Sequence, residues 1–247
     1  MVRFVLPVAL VALWFASTAA GWVKPYQLAS PGAVASELGT LFASGQLQSD
    51  VWASVERVAI GFACAFVLAL VLGSLAGSTR AARLAIDPTL QAIRAVPSLA
   101  WVPLILIWLG IGEPAKIVLV AIGAFFPIYV SIVSGIEGID RKLLEVARVL
   151  DTGRLKLIAQ VMVPATLPQL LIGARLGLTQ AWLFLVAAEL LAASRGLGFL
   201  LTDGQQLSRT DEVLVAILLF ALCGKLTDMG MYALERRLTG WADTAPA

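Results

Sequence analysis

The chain has 247 residues, of which 60% are hydrophobic and 14% charged, well below the roughly 25% charged content of soluble domains. It contains no histidine, which removes the commonest general base and metal ligand. The net charge of +2 points to no partner, so the distribution of charge along the chain carries the argument. The cysteines, Cys64 and Cys223, each lie in an apolar run, where buried inert thiols are expected rather than a disulfide or a metal site.

Crossing the hydrocarbon core takes about 20 apolar residues, and six stretches reach or approach that length. Residues 4–23 carry no charge. Arg3 and Thr18-Ala19-Ala20 give this run some signal-peptide character, but it continues through Trp22, so a retained span is expected. Residues 58–79 are uncharged and extend outward to about Trp52; residues 95–112 are uncharged but carry Pro97 and Pro103. Residues 117–136 hold Pro127, residues 176–194 hold Glu189, and residues 213–234 hold Lys225 and Asp228. Helices are the expected form, because a spanning backbone must satisfy its own hydrogen bonds, and barrel-like alternation is absent.

Short loops place the chain in the membrane. One side would carry Arg3, Arg80, Arg83, Arg94, Arg141, Lys142, Arg148, Arg154, Lys156, Arg236 and Arg237; the other would carry Lys24, Lys116, Arg195 and Arg209. The positive-inside rule makes the first side cytoplasmic, with both termini there. The outer segments are then about 24–51, a tight turn at Gly112-Glu113-Pro114-Ala115-Lys116, and about 195–212.

Charges within spans are costly and mark functional candidates. Lys225 and Asp228 are three positions apart on one helix, which predicts a local ion pair. Glu189 and Arg57 both fall about 8 Å below the outer surface at about 1.5 Å rise per residue, which makes them a candidate pair at an outer gate; Glu189 at the mouth of a wet cavity is the other reading. Arg175 is read as the cytoplasmic start of the fifth span. Gly73/Gly77 and Gly173/Gly177 fit the small-xxx-small pattern of close helix packing.

The long polar loop at about 138–170 is the most informative segment. Leu143, Leu144, Ala147 and Leu150 recur at helical spacing with Arg141, Lys142, Glu145 and Arg148 between them. Such a helix can fit a partner's groove or rest on lipid headgroups; the spacing alone does not choose. The loop then reads Asp151-Thr152-Gly153 and Val161-Met162-Val163-Pro164.

These residues resemble the EAA loop of permease subunits of bacterial ATP-binding-cassette importers. Glu145, Ala147 and Pro164 fall in register with that motif, and Val161 and Val163 are mild replacements. Val146 replaces an Ala, and Asp151 stands where Gly is expected, with Gly153 two positions on. Further stretches are similar to the nitrate/sulfonate/taurine branch: Arg94-Ala95-Val96-Pro97-Ser98, Trp108-Leu109-Gly110-Ile111-Gly112-Glu113, Ala187-Ala188-Glu189 and Ser194-Arg195-Gly196-Leu197-Gly198. Phe126-Pro127-Ile128-Tyr129 and Gly224-Lys225-Leu226-Thr227-Asp228 are most similar to aliphatic sulfonate permeases.

The resemblance implies an all-α membrane protein with six transmembrane helices, the type I importer (MetI-like) permease fold, and a cytoplasmic coupling helix. Residues 1–50 would form an N-terminal span and periplasmic segment, and residues 51–240 the permease domain. Leu144, Glu145, Ala147, Arg148, Leu150, Asp151, Gly153 and Pro164 would couple to an ATPase. Arg57, Glu189, Lys225 and Asp228 are the pathway or gate candidates. The implied partners are a second permease copy, two cytoplasmic ATPase subunits and a periplasmic substrate-binding protein, in the bacterial inner membrane and without nucleic acid. The chain lacks a Gly-x-x-x-x-Gly-Lys-[Ser/Thr] phosphate loop, so ATP and Mg are expected on the partner ATPase and no cofactor on this chain. The implied cargo is a small anion, an aliphatic sulfonate first, with taurine, nitrate, bicarbonate or another small organic compound as alternatives.

Two other classes remain to be weighed. A stand-alone channel or secondary transporter needs clustered intramembrane polar groups, and Glu189 and Asp228 are far apart in sequence. An intramembrane enzyme needs a nucleophile and base, and the lack of histidine argues against that.

Overall fold

Glycine and alanine every fourth residue decide how the central helices meet. In the computed structural model, which describes residues 5–150 and 153–241, the helix Gln46–Ser78 presents Gly61, Ala65, Ala69, Gly73 and Gly77 along one face. The alanines are buried to 1% exposure or less. A Cβ at Gly61 would stand 2.9 Å from the Ile117 carbonyl oxygen, and one at Gly77 2.9 Å from Ile136 Cβ. Backbone contact this close requires glycine, as the small-xxx-small spacing predicts.

Every element among the described residues is helical: α1 (Val5–Ala19), α2 (Pro31–Ala43), α3 (Gln46–Ser78), α4 (Arg80–Ala95), α5 (Val102–Leu109), α6 (Glu113–Glu137), α7 (Arg141–Val149), α8 (Arg154–Leu157), α9 (Val163–Ala192), α10 (Leu197–Gln206) and α11 (Thr210–Leu238). A 3₁₀ turn, Ser98–Trp101, precedes α5, and a π-helical turn, Ile158–Met162, precedes α9. The chain divides into two compact units. One takes Val186–Cys223 and the chain before Arg57; the other takes Arg57–Leu185 and the chain from Gly224. The boundaries fall within α3, α9 and α11.

In the first unit, α2 starts at Ser30, whose hydroxyl accepts the Ala33 N–H at 3.2 Å, and Pro31 takes the first helical position. Trp14 of α1 donates its indole N–H to the Ala29 carbonyl at 3.0 Å. Leu197, Leu200, Val215 and Ala216 form the apolar centre.

In the second unit, α6 is the most buried element. Leu119, Val120, Ala124 and Ile128 are wholly enclosed. α3 packs on one face of α6, and α9 on another through Gly173 against Ser131 and Gly177 against Ile128. Both glycine pairs expected to pack do so.

Four helices are long and apolar enough to cross a membrane: Gln46–Ser78, Glu113–Glu137, Ile158–Leu191 and Thr210–Leu238. A fifth span results if the pair Arg80–Ala95 and Leu99–Leu109, bent by 81°, counts as one. α1 is apolar but only 15 residues long. The six expected stretches are thus all helical, with three differences. Residues 95–112 do not form one continuous span: Val96 is extended (φ −73°, ψ 126°), because a residue before proline is pushed out of the helical region, and the chain turns there. The span expected over residues 176–194 begins at Ile158 and not near 176, so Arg175 lies within α9 and not at the start of the span. The tight outer turn is mostly helical, since α6 begins at Glu113 with Pro114 in its first turn. Cys223 is buried as expected, but Cys64 is exposed on α3, a position suited to a lipid-facing helix surface.

Candidate functional site

Asp140 starts α7 by accepting the Lys142 N–H on its carboxylate at 2.9 Å. On the helix that follows, Ala147 is buried, while Leu143, Val146 and Val149, and Leu150 just beyond, are exposed. The expected apolar face of Leu143, Leu144, Ala147 and Leu150 is therefore split. Ala147 faces the protein, and Val146 and Val149 join Leu143 and Leu150 on an uncovered side. Glu145 is exposed among them, and Leu144 and Arg148 lie on the same helix. Gly153 is exposed and opens α8, accepting the Leu157 N–H at 3.0 Å. Asp151 lies outside the described residues. The π-helical turn precedes Val163, and Pro164 is the second residue of α9; such turns concentrate at functional positions.

The intramembrane charges are held in several clusters. Arg57 is buried at 2% exposure and grips Glu113 with two hydrogen bonds, 2.6 Å from Nε and 2.7 Å from Nη2. Lys116, equally buried, donates to the same carboxylate at 3.1 Å. In the same unit, Arg175 donates to Asp228 at 2.5 and 3.1 Å and lies 3.9 Å from Glu235. Lys225 stands 3.7 Å from Asp228, so the expected local pair exists as the outer member of a larger group. Trp182 donates to Thr227 at 2.9 Å beside it.

A further cluster joins α4 to α6. Arg83 pairs with Asp87 at 3.2 Å and with Glu137, and the Tyr129 hydroxyl donates to Asp87. These residues line a cavity of about 460 Å³ that also reaches Arg94.

In the other unit, Glu189 is 1% exposed. Its carboxylate accepts from the Ser54 hydroxyl at 2.8 Å and from the Gly198 N–H at 2.7 Å. Ser54 in turn accepts the Leu197 N–H at 2.9 Å, and Asp50 accepts the Gly196 N–H at 2.8 Å. Three successive N–H groups at the start of α10 thus meet Asp50, Ser54 and Glu189, where the positive end of the helix dipole favours negative charge. Nearby, Arg209 donates to Glu37 at 2.7 Å and lies 2.8 Å from Glu212. Burial works against its charge, yet the two carboxylates hold the guanidinium above the ordinary arginine value. Glu189 and Arg57 fall in different units.

The family model described as a binding-protein-dependent transport system inner membrane component matches residues 69–240. The chain belongs to that family. An aliphatic sulfonates transport permease protein of Bacillus subtilis (strain 168) is 41% identical to this permease, over 99% of this chain and 88% of its own. The taurine transport system permease protein of Escherichia coli (strain K12) is 34% identical, over 94% of this chain and 86% of its own. Among solved structures, the MetNI methionine transporter in an inward-facing form superposes with a TM-score of 0.66 at 21% identity, covering 80% of this chain and 98% of that one. At that identity the likeness speaks for the permease fold alone.

The sequence pointed to the coupling helix and to Glu189, Arg57, Lys225 and Asp228. It missed Glu113, which it had placed in a turn, and Asp87 and Tyr129, which bind across α4 and α6. For Glu113 a signal existed: an acid three positions before Lys116 at a helix start. For Asp87–Tyr129, a separation of 42 positions left none.

Proposed function

We propose that this permease is the membrane-spanning subunit of an ATP-driven importer that carries a small anion, an aliphatic sulfonate first, from periplasm to cytoplasm. The observation that carries the reading is α7. A short helix with Leu143, Val146, Val149 and Leu150 uncovered, and with Glu145 among them, is costly in isolation and suits a groove on a partner. Leu144, Ala147, Arg148, Leu150, Asp151, Gly153 and Pro164 belong to the same coupling segment. Its likeness to the EAA loop of importer permeases supports reading that segment as the one that meets an ATPase, and the sulfonate relative favours the cargo class.

Two copies would work with two cytoplasmic ATPases and an external binding protein, with both termini in the cytoplasm. ATP binding draws the ATPases together, moves the coupling helices inward and opens the path outward; hydrolysis reverses it, as alternating access by rigid-body rocking. The charged clusters at Arg57, Lys225 and Asp228, together with Glu189, serve as fixed joints or gates of that motion. The taurine relative favours a second cargo, an aminosulfonate, by the same machinery.

The test is ATP hydrolysis by the reconstituted complex, with its ATPase and binding protein, against ethanesulfonate, taurine and nitrate. Stimulation by ethanesulfonate is expected. Stimulation by taurine or nitrate alone moves the cargo, and failure of any ATPase to associate rejects the coupling reading.

A further inference from the structure

Arg94 was counted from sequence as a rim cation, but its surroundings belong to the middle of two spans. It lines a cavity of about 510 Å³ with Phe126 and Ser131 of α6 and Thr179, Gln180 and Phe184 of α9. α6 runs from residue 113 to 137 and α9 from 163 to 192, so these residues lie at least six positions from either end of their helices. The volume falls within the roughly 300–1,000 Å³ of small-molecule sites.

The polar lining has one chemical character. Among the described residues, no carboxylate borders this cavity. Arg94, Ser131 and Gln180 make no hydrogen bond or ion pair among the described residues, although Ser131 is only 7% exposed. Thr179 is occupied, donating to the Arg175 carbonyl at 3.1 Å. Three unengaged donors, one of them the exposed cation Arg94, therefore converge on one cleft. In the adjoining cavity that Arg94 also borders, Arg83 is shared by Asp87 and Glu137, which leaves one net negative charge among those three. Phe126 and Phe184 give the cleft an apolar wall beside its donors.

We propose that this cleft is an anion-binding site in the transport path, with Arg94 binding an oxyanion head, Ser131 and Gln180 donating to its remaining oxygens, and Phe126 and Phe184 receiving a short alkyl tail. An arginine fork matches the planar edge of a sulfonate or carboxylate better than a lysine would. The site rests on the small-anion importer reading and gives that reading a location on this chain.

The test uses the whole complex in two readouts. In the first, the complex is treated with phenylglyoxal, and modification of individual arginines is followed by peptide mass spectrometry with ethanesulfonate or with ethylammonium at equal ionic strength. Ethanesulfonate should protect Arg94 while Arg80, at the far end of the same helix, reacts at an unchanged rate. In the second, ethanesulfonate uptake into proteoliposomes is compared for wild type, Arg94→Ala and Arg94→Lys. Arg94→Ala should lower uptake about tenfold or more and Arg94→Lys less, since charge without the fork is retained. Arg94 modified equally with and without ethanesulfonate, in a complex that transports it, overturns the site and leaves the importer reading standing. Protection of Arg94 in a complex that imports no sulfonate keeps the site and rejects that reading. If Arg94→Ala fails to assemble, protection in the wild type decides.

Discussion

Arg175 on α9 holds Asp228 on α11 with two hydrogen bonds, 2.5 and 3.1 Å long, while Lys225, one helical turn away from Asp228, stands 3.7 Å off. The forked guanidinium takes the carboxylate because it offers two donors at fixed spacing, whereas an ammonium group is a point charge on a flexible stem. Arg175 also stacks over the Tyr232 ring, with its central carbon 5.2 Å from the centroid, which adds a second hold on α11.

From this it follows that Arg175→Leu costs more than Lys225→Leu. The first should destabilise the permease by about 1–3 kcal/mol, the range for removing hydrogen bonds to a charged group. The second should cost about 0.5 kcal/mol or less, as for an exposed helical ion pair. Thermal unfolding of the detergent-solubilised complex reads both. Equal losses would make Lys225 the principal partner.

At Glu189 the expected effect is on α10. Glu189→Ala removes the acceptor of the Gly198 N–H and the partner of Ser54 and should cost about 1–3 kcal/mol. Glu189→Gln keeps an acceptor of the same shape and should recover part of that. Hydrogen exchange at Leu197 and Gly198 is the sensitive measurement, rising most in the alanine variant. Unchanged exchange there would mean that α10 starts without help from Glu189.

On α7, Glu145→Lys and Val146→Glu should each weaken co-purification of the ATPase and lower uptake about tenfold, equivalent to about 1.4 kcal/mol, with insertion into the membrane unaffected. Gly39→Ala, on α2 and outside the coupling segment, is the control. A Cβ there meets nothing within 4 Å, so ATPase association should match the wild type. Full coupling in Glu145→Lys would remove α7 from the docking surface.

Close packing of α9 on α6 predicts a steric result. A Cβ at Gly177 would lie 2.8 Å from the Ala124 carbonyl oxygen, which is backbone and cannot swing aside. Gly177→Val should therefore cost about 1–3 kcal/mol, the usual penalty of overpacking. Gly224→Ala, with open space around the added methyl, should be neutral or gain about 0.5–1 kcal/mol from helix propensity. Expression and thermal stability of the two variants check the contrast.

The spans, the small-residue packing and the coupling segment were legible because each is a local pattern: an apolar run, a four-residue period, a motif in fixed register. The charge partners were not, because they depend on which helices meet. Depth in the span suggested Glu189 for Arg57, but it gave no hint of Glu113, which also binds Arg57 from 56 positions away at the start of another helix. Pro97 announced a break but not its direction. The 81° bend between the two halves is what carries Arg94 to residues of mid-span depth, and no reading of charge in loops could have placed it there.

The glycine and alanine stripe of α3 also constrains how this permease can move. Ile132 and Ile136 seat over Gly73 and Gly77, and Val120 seats over Gly61. A slide of one helix by a residue would drive each of these branched side chains into a neighbour's Cβ, since the residues beside the glycines are larger. The stripe acts as a row of detents, and α3 and α6 must travel as one stiff beam. Whatever displacement transport requires is then left to parts of the chain outside that beam, among them the bend between Ala95 and Leu99.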